Sequence, residues 1–171
     1  MRNIRDFEHW EIVADGPLPE FVVEWESITR HTLQEFRRLL DEERGERSLQ
    51  AFLQCYPTVL IQILSGGQRR WAIPQKRLGE KHVTDFILGE FNSLGYHWYP
   101  VELESPIAGL FTKTGDPTKA LTHAVRQIQD WRLWLNQNLD YARRSRVEGG
   151  LELIKSGPTR KESFSLGGVI C

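Results

Sequence analysis

The chain has few cysteines. Only two of its 171 residues are cysteine: Cys55, in an apolar segment with helical spacing, and Cys171, the last residue. Two such distant thiols do not indicate a disulfide framework or the clustered ligands of a zinc site. This content is typical of a protein in a reducing compartment, and we expect a cytoplasmic location.

Long apolar runs and an excess of positive charge are also missing. No run reaches the roughly 18 apolar residues that indicate a membrane-spanning helix. The first residues, MRNIRDFEHWE, lack the apolar centre of a signal peptide. We therefore expect no membrane association. Because the formal net charge is −1, any nucleic-acid binding has to depend on local basic patches or on a metal.

The remaining composition is that of an ordinary globular domain, with 40% hydrophobic and 26% charged residues. Hydrophobic periodicity and Gly/Pro punctuation predict an alternation of helices and strands. The predicted helices are 27–43, 46–56 and 118–144, and the predicted strands are 71–74, two within 82–106, 151–154 and 163–170. The state of residues 58–64 is left open. This order indicates an α/β fold with a mixed central sheet flanked by helices.

The segment His82–Pro106, HVTDFILGEFNSLGYHWYPVELESP, carries the strongest functional signal. It is predicted to form two strands joined by a polar turn, which places Asp85 roughly opposite Glu102. Glu104 follows Glu102 at the spacing that puts both on one face. Clustered carboxylates need a cation or a shared proton, and a hard divalent cation is the simplest solution. The alternative is that both glutamates are merely exposed at a strand edge.

Glu46 lies at the start of the predicted helix 46–56. A carboxylate there is favoured by the helix dipole alone, so its presence is equally consistent with a purely structural role. On the long helix, Gln127 lies at the border of the apolar stripe, while Arg126 and Asp130 lie further toward solvent.

Four segments together resemble, in order, the nuclease domain of the Shedu antiphage-defence family, within the PD-(D/E)xK nuclease superfamily. They are ERSLQAFLQCYP (46–57), IPQKRLGEKHVTDFILG (73–89), VELESPIAGLFTKTGDPTKAL (101–121) and AVRQIQDWRLWLNQNLDYAR (124–143). The resemblance implies a restriction-endonuclease-like core with the element order α-β-β-β-α-β. It also divides the chain into an N-terminal segment with a helix, 1–45, and a nuclease-like domain, 46–171, that is expected to be shortened at its C-terminal end.

The resemblance implies Mg²⁺-dependent cleavage of DNA, with Mn²⁺ as a substitute, no small-molecule cofactor, and assembly into a homo-oligomer as an open alternative. Asp85, Glu102 and Glu46 match the metal-binding positions. Glu104 occupies the position where the superfamily usually has lysine, and Gln127 resembles a helix glutamine found in several branches.

The missing lysine leaves alternatives open. Either Glu104 acts as a further ligand or base, or Lys81 or Lys113 supplies the cation from another position. A catalytically weak or inactive nucleic-acid-binding or assembly module with the same fold is the second hypothesis. A protein-interaction domain is the third. If DNA docks at the carboxylates, we expect basic side chains around them: Lys113, Arg126, Arg143 and Arg144.

Overall fold

The computed structural model describes residues 17–42, 45–64, 66, 68–105, 107–153, 165–166 and 169–170. After a short 3-10 turn at Pro19–Phe21, the helices are α1 Arg30–Asp41, α2 Glu46–Cys55, α3 Pro57–Ile61, α4 Lys119–Gln137 and α5 Leu139–Arg143. The strands are β1 Arg69–Pro74, β2 Arg77–Leu78, β3 His82–Val83, β4 Phe86–Asn92, β5 Gly95–Glu102, β6 Ser165–Leu166 and β7 Val169–Ile170.

The central sheet has the order β1-β4-β5-β6, with β7 also pairing with β5. β1, β4 and β5 are antiparallel neighbours, whereas β6 and β7 run parallel to β5. The sheet is therefore mixed, as predicted, and the predicted strand 163–170 corresponds to the two short strands β6 and β7. The restriction-endonuclease-like topology stays a prediction.

The predicted hairpin is confirmed as β4 and β5. Its register pairs Phe86 with Val101 and Asn92 with Gly95. Asn92 shapes the turn, because its Oδ1 accepts a hydrogen bond from the backbone N–H of Leu94 at 2.9 Å. Continuing this register by one residue brings Asp85 opposite Glu102, as the sequence predicted.

Helices cover both faces of the sheet. On one face, α4 contributes Ile128, Trp131 and Leu135 to a core that contains Trp71 and Trp98. On the other face, α2 and α3 pack over the alternate strand residues; this second core includes Leu49, Leu53, Leu60, Ile61, Ala72, Phe86, Leu88 and Val101. The alternation of side chains along each strand thus explains why α2 and α4 lie on opposite sides.

Gly89 is needed at the centre of the sheet for close packing. It lies directly opposite Trp98 in the β4–β5 register. A Cβ at position 89 would come within 2.4 Å of the Trp98 ring, so only glycine lets the indole lie flat against the neighbouring strand.

Three sequence predictions need correction. The predicted helix 118–144 is divided at Asn138, whose side-chain N–H₂ group donates to the carbonyl of Trp134 at 2.8 Å and so competes with the helical pattern. Residues 151–153 are not a strand; their backbone N–H groups bond back to the end of α5 and to Arg144, and residue 154 lies outside the described residues. Glu104 lies beyond the end of β5 rather than in the strand.

The open segment 58–64 mostly continues as helix α3, with Pro57 at its first position. Across the described ranges, no helix is long and apolar enough to cross a membrane. The proposed division between residues 1–45 and 46–171 stays a prediction.

Candidate active site

Asp85 is the central residue of the candidate site and lies immediately before β4. Its Oδ2 accepts a 2.7 Å hydrogen bond from the backbone N–H of Leu103, and its Oδ1 accepts one from Nε2 of Gln50 at 3.2 Å. These two donors come from the end of β5 and from α2. The carboxylate therefore joins the sheet to the helix and is held in one orientation.

The side chain of Glu102 forms a hydrogen bond with the carboxyl group of Asp85. Burial, repulsion by Asp85 and this hydrogen bond raise the pKa of Glu102 to about 8, and the charges of Glu104 and Glu46 add to the effect. Every one of these influences favours the protonated acid. Two ionised carboxylates would repel each other here, and protonation of Glu102 removes that repulsion.

Glu46 and Glu104 complete the acidic cluster, which we define as Glu46, Asp85, Glu102 and Glu104. Glu46 is the first residue of α2 and keeps much of its surface exposed. Partial burial of its carboxyl and repulsion by Asp85 and Glu104 raise its pKa, while Arg47 acts in the opposite direction. The four predicted acidic residues thus interact electrostatically, although they come from three separate segments.

The donor chemistry of the acidic cluster fits a hard divalent cation, because carboxylate oxygens are its preferred ligands. As the described residues stand, however, no group of three or more His, Cys, Asp or Glu side chains is arranged so that it could hold a metal ion.

The basic side chains that were expected around the carboxylates do not affect the pKa of Glu102. All charges that shift the pKa of Glu102 are negative, and neither Lys81 nor Lys113 is among them. Both lysines are exposed, Lys81 in the turn between β2 and β3 and Lys113 between β5 and α4. Arg47 does act on the cluster, because its charge lowers the pKa of Glu46.

Gln127 lies on α4 next to the buried residues Ala124, Ile128 and Trp131. Its side-chain oxygen is buried and accepts no hydrogen bond. A buried amide oxygen without a donor is costly, which makes it an available acceptor for a water or a substrate group. Its assignment to the site stays a prediction.

The sequence analysis missed Gln50, the Leu103 backbone N–H and Arg47. Gln50 was detectable in principle, because it follows Glu46 by one helical turn and lies on the same face of α2. The role of the Leu103 N–H depends on where β5 ends, which periodicity does not fix.

The fold and the acidic cluster define the chain as a mixed α/β protein with interacting carboxylates at the end of its central hairpin. A family model described as "Shedu protein SduA, C-terminal" matches residues 43–165. The chain therefore belongs to the SduA C-terminal family, and this membership indicates a role in antiphage defence. Comparisons with curated proteins and with solved structures found no match.

Proposed function

We propose that this protein is a metal-dependent DNA endonuclease of a Shedu-type defence system that hydrolyses phosphodiester bonds. The observation that carries the proposal is the Asp85 carboxylate, held by the Leu103 N–H and Gln50, beside the Glu102 carboxyl, whose pKa is raised to about 8. Such strongly perturbed acids are enriched at functional sites. Family membership agrees with this choice, and a restriction-endonuclease-like topology would be its structural basis.

In this proposal Mg²⁺, or Mn²⁺ in its place, is held by Asp85 and Glu102, with Glu46 approaching from α2. The cation would replace the proton that relieves the repulsion between the two carboxyl groups. When bound, it would supply positive charge for the phosphate and lower the pKa of water.

The protein's own groups have separate tasks. The Leu103 N–H and Gln50 orient Asp85. Glu104, in the position usually taken by lysine, accepts a proton from the attacking water at its carboxylate. Gln127 offers its buried oxygen as a hydrogen-bond acceptor for that water. Fixed orientation of such groups is a large part of what a nuclease site contributes.

The test is nicking of a supercoiled plasmid with Mg²⁺ and with Mn²⁺. Wild type is compared with Asp85→Ala and Glu102→Ala, and Asp130→Asn on the exposed side of α4 is the matched control. We expect cleavage by wild type and by the control, and loss of cleavage in both site variants. Equal nicking by all four proteins would reject the assigned residues.

A second candidate is a catalytically weak or inactive nucleic-acid-binding or assembly module. It is favoured by the glutamate at position 104 and by the lack of a ready three-ligand group within the described ranges. DNA binding that persists in EDTA, with no cleavage in either metal, would support it over the nuclease. The salt dependence of that binding would report the number of phosphates contacted.

A further inference from the structure

A small hairpin projects from the segment between β5 and α4. Phe111 pairs with Pro117 across it. Backbone hydrogen bonds run from the N–H of Thr112 to the carbonyl of Asp116 at 2.8 Å and from the N–H of Thr118 to the carbonyl of Leu110 at 3.0 Å. We call Leu110–Thr118 the β5–α4 hairpin.

Side chains lock the turn of this hairpin. The hydroxyls of Thr112 and Thr114 are 2.9 Å apart, and the Thr114 hydroxyl donates to the Asp116 carboxylate at 2.8 Å. The Asp116 backbone N–H donates to the Thr112 hydroxyl at 3.1 Å. Because its own contacts already order the hairpin, it loses little conformational entropy when a partner binds.

The hairpin nevertheless leaves large apolar side chains in solvent. Phe111 is 61% exposed, and Ile107 and Leu110 beside it are 55% and 47% exposed. These residues do not belong to either core of the sheet. A rigid element that presents an aromatic ring to water, rather than burying it, is typical of a binding surface.

The position of the hairpin connects it with the acidic cluster. It follows Glu104 in the chain and leads into α4, so residues 103–109 join it to the end of β5 that carries Glu102. Lys113 at its turn is exposed, and so are Lys119 and Arg126 on α4. The acidic cluster repels phosphates, so DNA that docks there needs cationic and apolar contacts close by.

We propose that the β5–α4 hairpin holds duplex DNA by its minor groove, with the Phe111 ring against sugars and base edges and Lys113 on a backbone phosphate. The proposal rests on the proposed function for its choice of DNA as the partner. Apolar side chains that enter the minor groove and basic side chains on the flanking phosphates are a known combination in DNA binding.

The experiment measures binding of a fluorescein-labelled duplex by anisotropy in EDTA, on a Glu102→Gln background that prevents cleavage. Phe111→Ala is expected to weaken binding about 5- to 20-fold, while Phe111→Trp retains it. Lys113→Gln should lower the slope of log K against log salt by about 1. Leu94→Ala, an exposed leucine on the β4–β5 turn, and Arg37→Gln on α1 are the matched controls. A minor-groove ligand such as netropsin should compete with the protein.

The outcomes separate this inference from the nuclease proposal. Unchanged binding by Phe111→Ala overturns the inference even if wild type cleaves DNA. Hairpin-dependent binding without metal-dependent cleavage supports the inference and rejects the nuclease. Absence of all DNA binding overturns the inference. A wild-type dimer that Phe111→Ala converts to monomer, with equal DNA affinity, would assign the hairpin to self-association and likewise overturn it.

Discussion

Replacing Glu102 with glutamine should change stability in a way that depends on pH. Glutamine has nearly the same shape, and its amide can donate to Asp85 where the protonated Glu102 does now. It cannot ionise, however. The variant therefore removes the repulsion within the acidic cluster and keeps the hydrogen bond.

The sign and size follow from the raised pKa of Glu102, which is about 8 against an ordinary 4.5. Because the folded protein binds this proton more tightly than the unfolded chain, the wild type loses stability as pH rises from about 4.5 through 8. A shift of this size corresponds to an upper limit of about 5 kcal/mol. Since Glu102 is only partly buried and solvent screens its charge, we reduce this to roughly 1–2 kcal/mol.

The assay is thermal unfolding of metal-free protein in EDTA at pH 4 and pH 9. At pH 4, where Glu102 is largely protonated in both the folded and the unfolded protein, the two proteins should unfold at similar temperatures. At pH 9, Glu102→Gln should unfold about 3–6 °C higher. The exposed Asp130→Asn variant should show no such divergence. An equal difference at both pH values, or a less stable Glu102→Gln at pH 9, would refute the electrostatic account of the pair.

Three other predictions concern the metal, the support of Asp85 and the core. Mg²⁺ should raise the unfolding temperature more at pH 8.5 than at pH 6.5, because Glu102 must lose its proton to bind the ion; an equal rise would count against binding at this pair. Gln50→Ala should destabilise the protein by about 1 kcal/mol and reduce nicking, unlike the exposed Gln54→Ala on the same helix; identical unfolding temperatures and nicking rates for the two variants would exclude the role assigned to Gln50. Gly89→Ala should lower the urea midpoint by an amount equivalent to about 2 kcal/mol or more, because the new Cβ would meet Trp98 at 2.4 Å; Gly109→Ala, whose nearest atom would be 3.7 Å away, is the control, and equal midpoints would reject the packing argument.

The sequence predicted the hairpin of β4 and β5 well because two independent signals agreed there. Strand alternation and the polar turn at Asn92 both fix the same register, and that register alone puts Asp85 opposite Glu102. The expectation that Glu46 belongs to the same site as this pair came from the family resemblance. Periodicity places Glu46 at a helix start but does not say which part of the sheet that start approaches.

The structural features that the sequence analysis failed to predict have local physical causes. The break at Asn138 comes from a side-chain amide that competes for a helical carbonyl, a contact with little effect on the apolar stripe used to predict the helix. The sequence analysis placed no helix or strand in the β5–α4 hairpin, since the order of this segment depends on threonine and aspartate contacts within the turn. Such contacts depend on geometry that composition does not specify.

The late strands β6 and β7 have a consequence for synthesis of the protein. β5 is complete at Glu102, yet its outer edge is paired only when residues 165–170 add alongside it. A nascent or shortened chain that stops before them would leave the backbone edge at His97–Trp98 and Val101–Glu102 as a template for another β-strand. Ribosome-bound intermediates should therefore depend on chaperones until residues 165–170 have emerged.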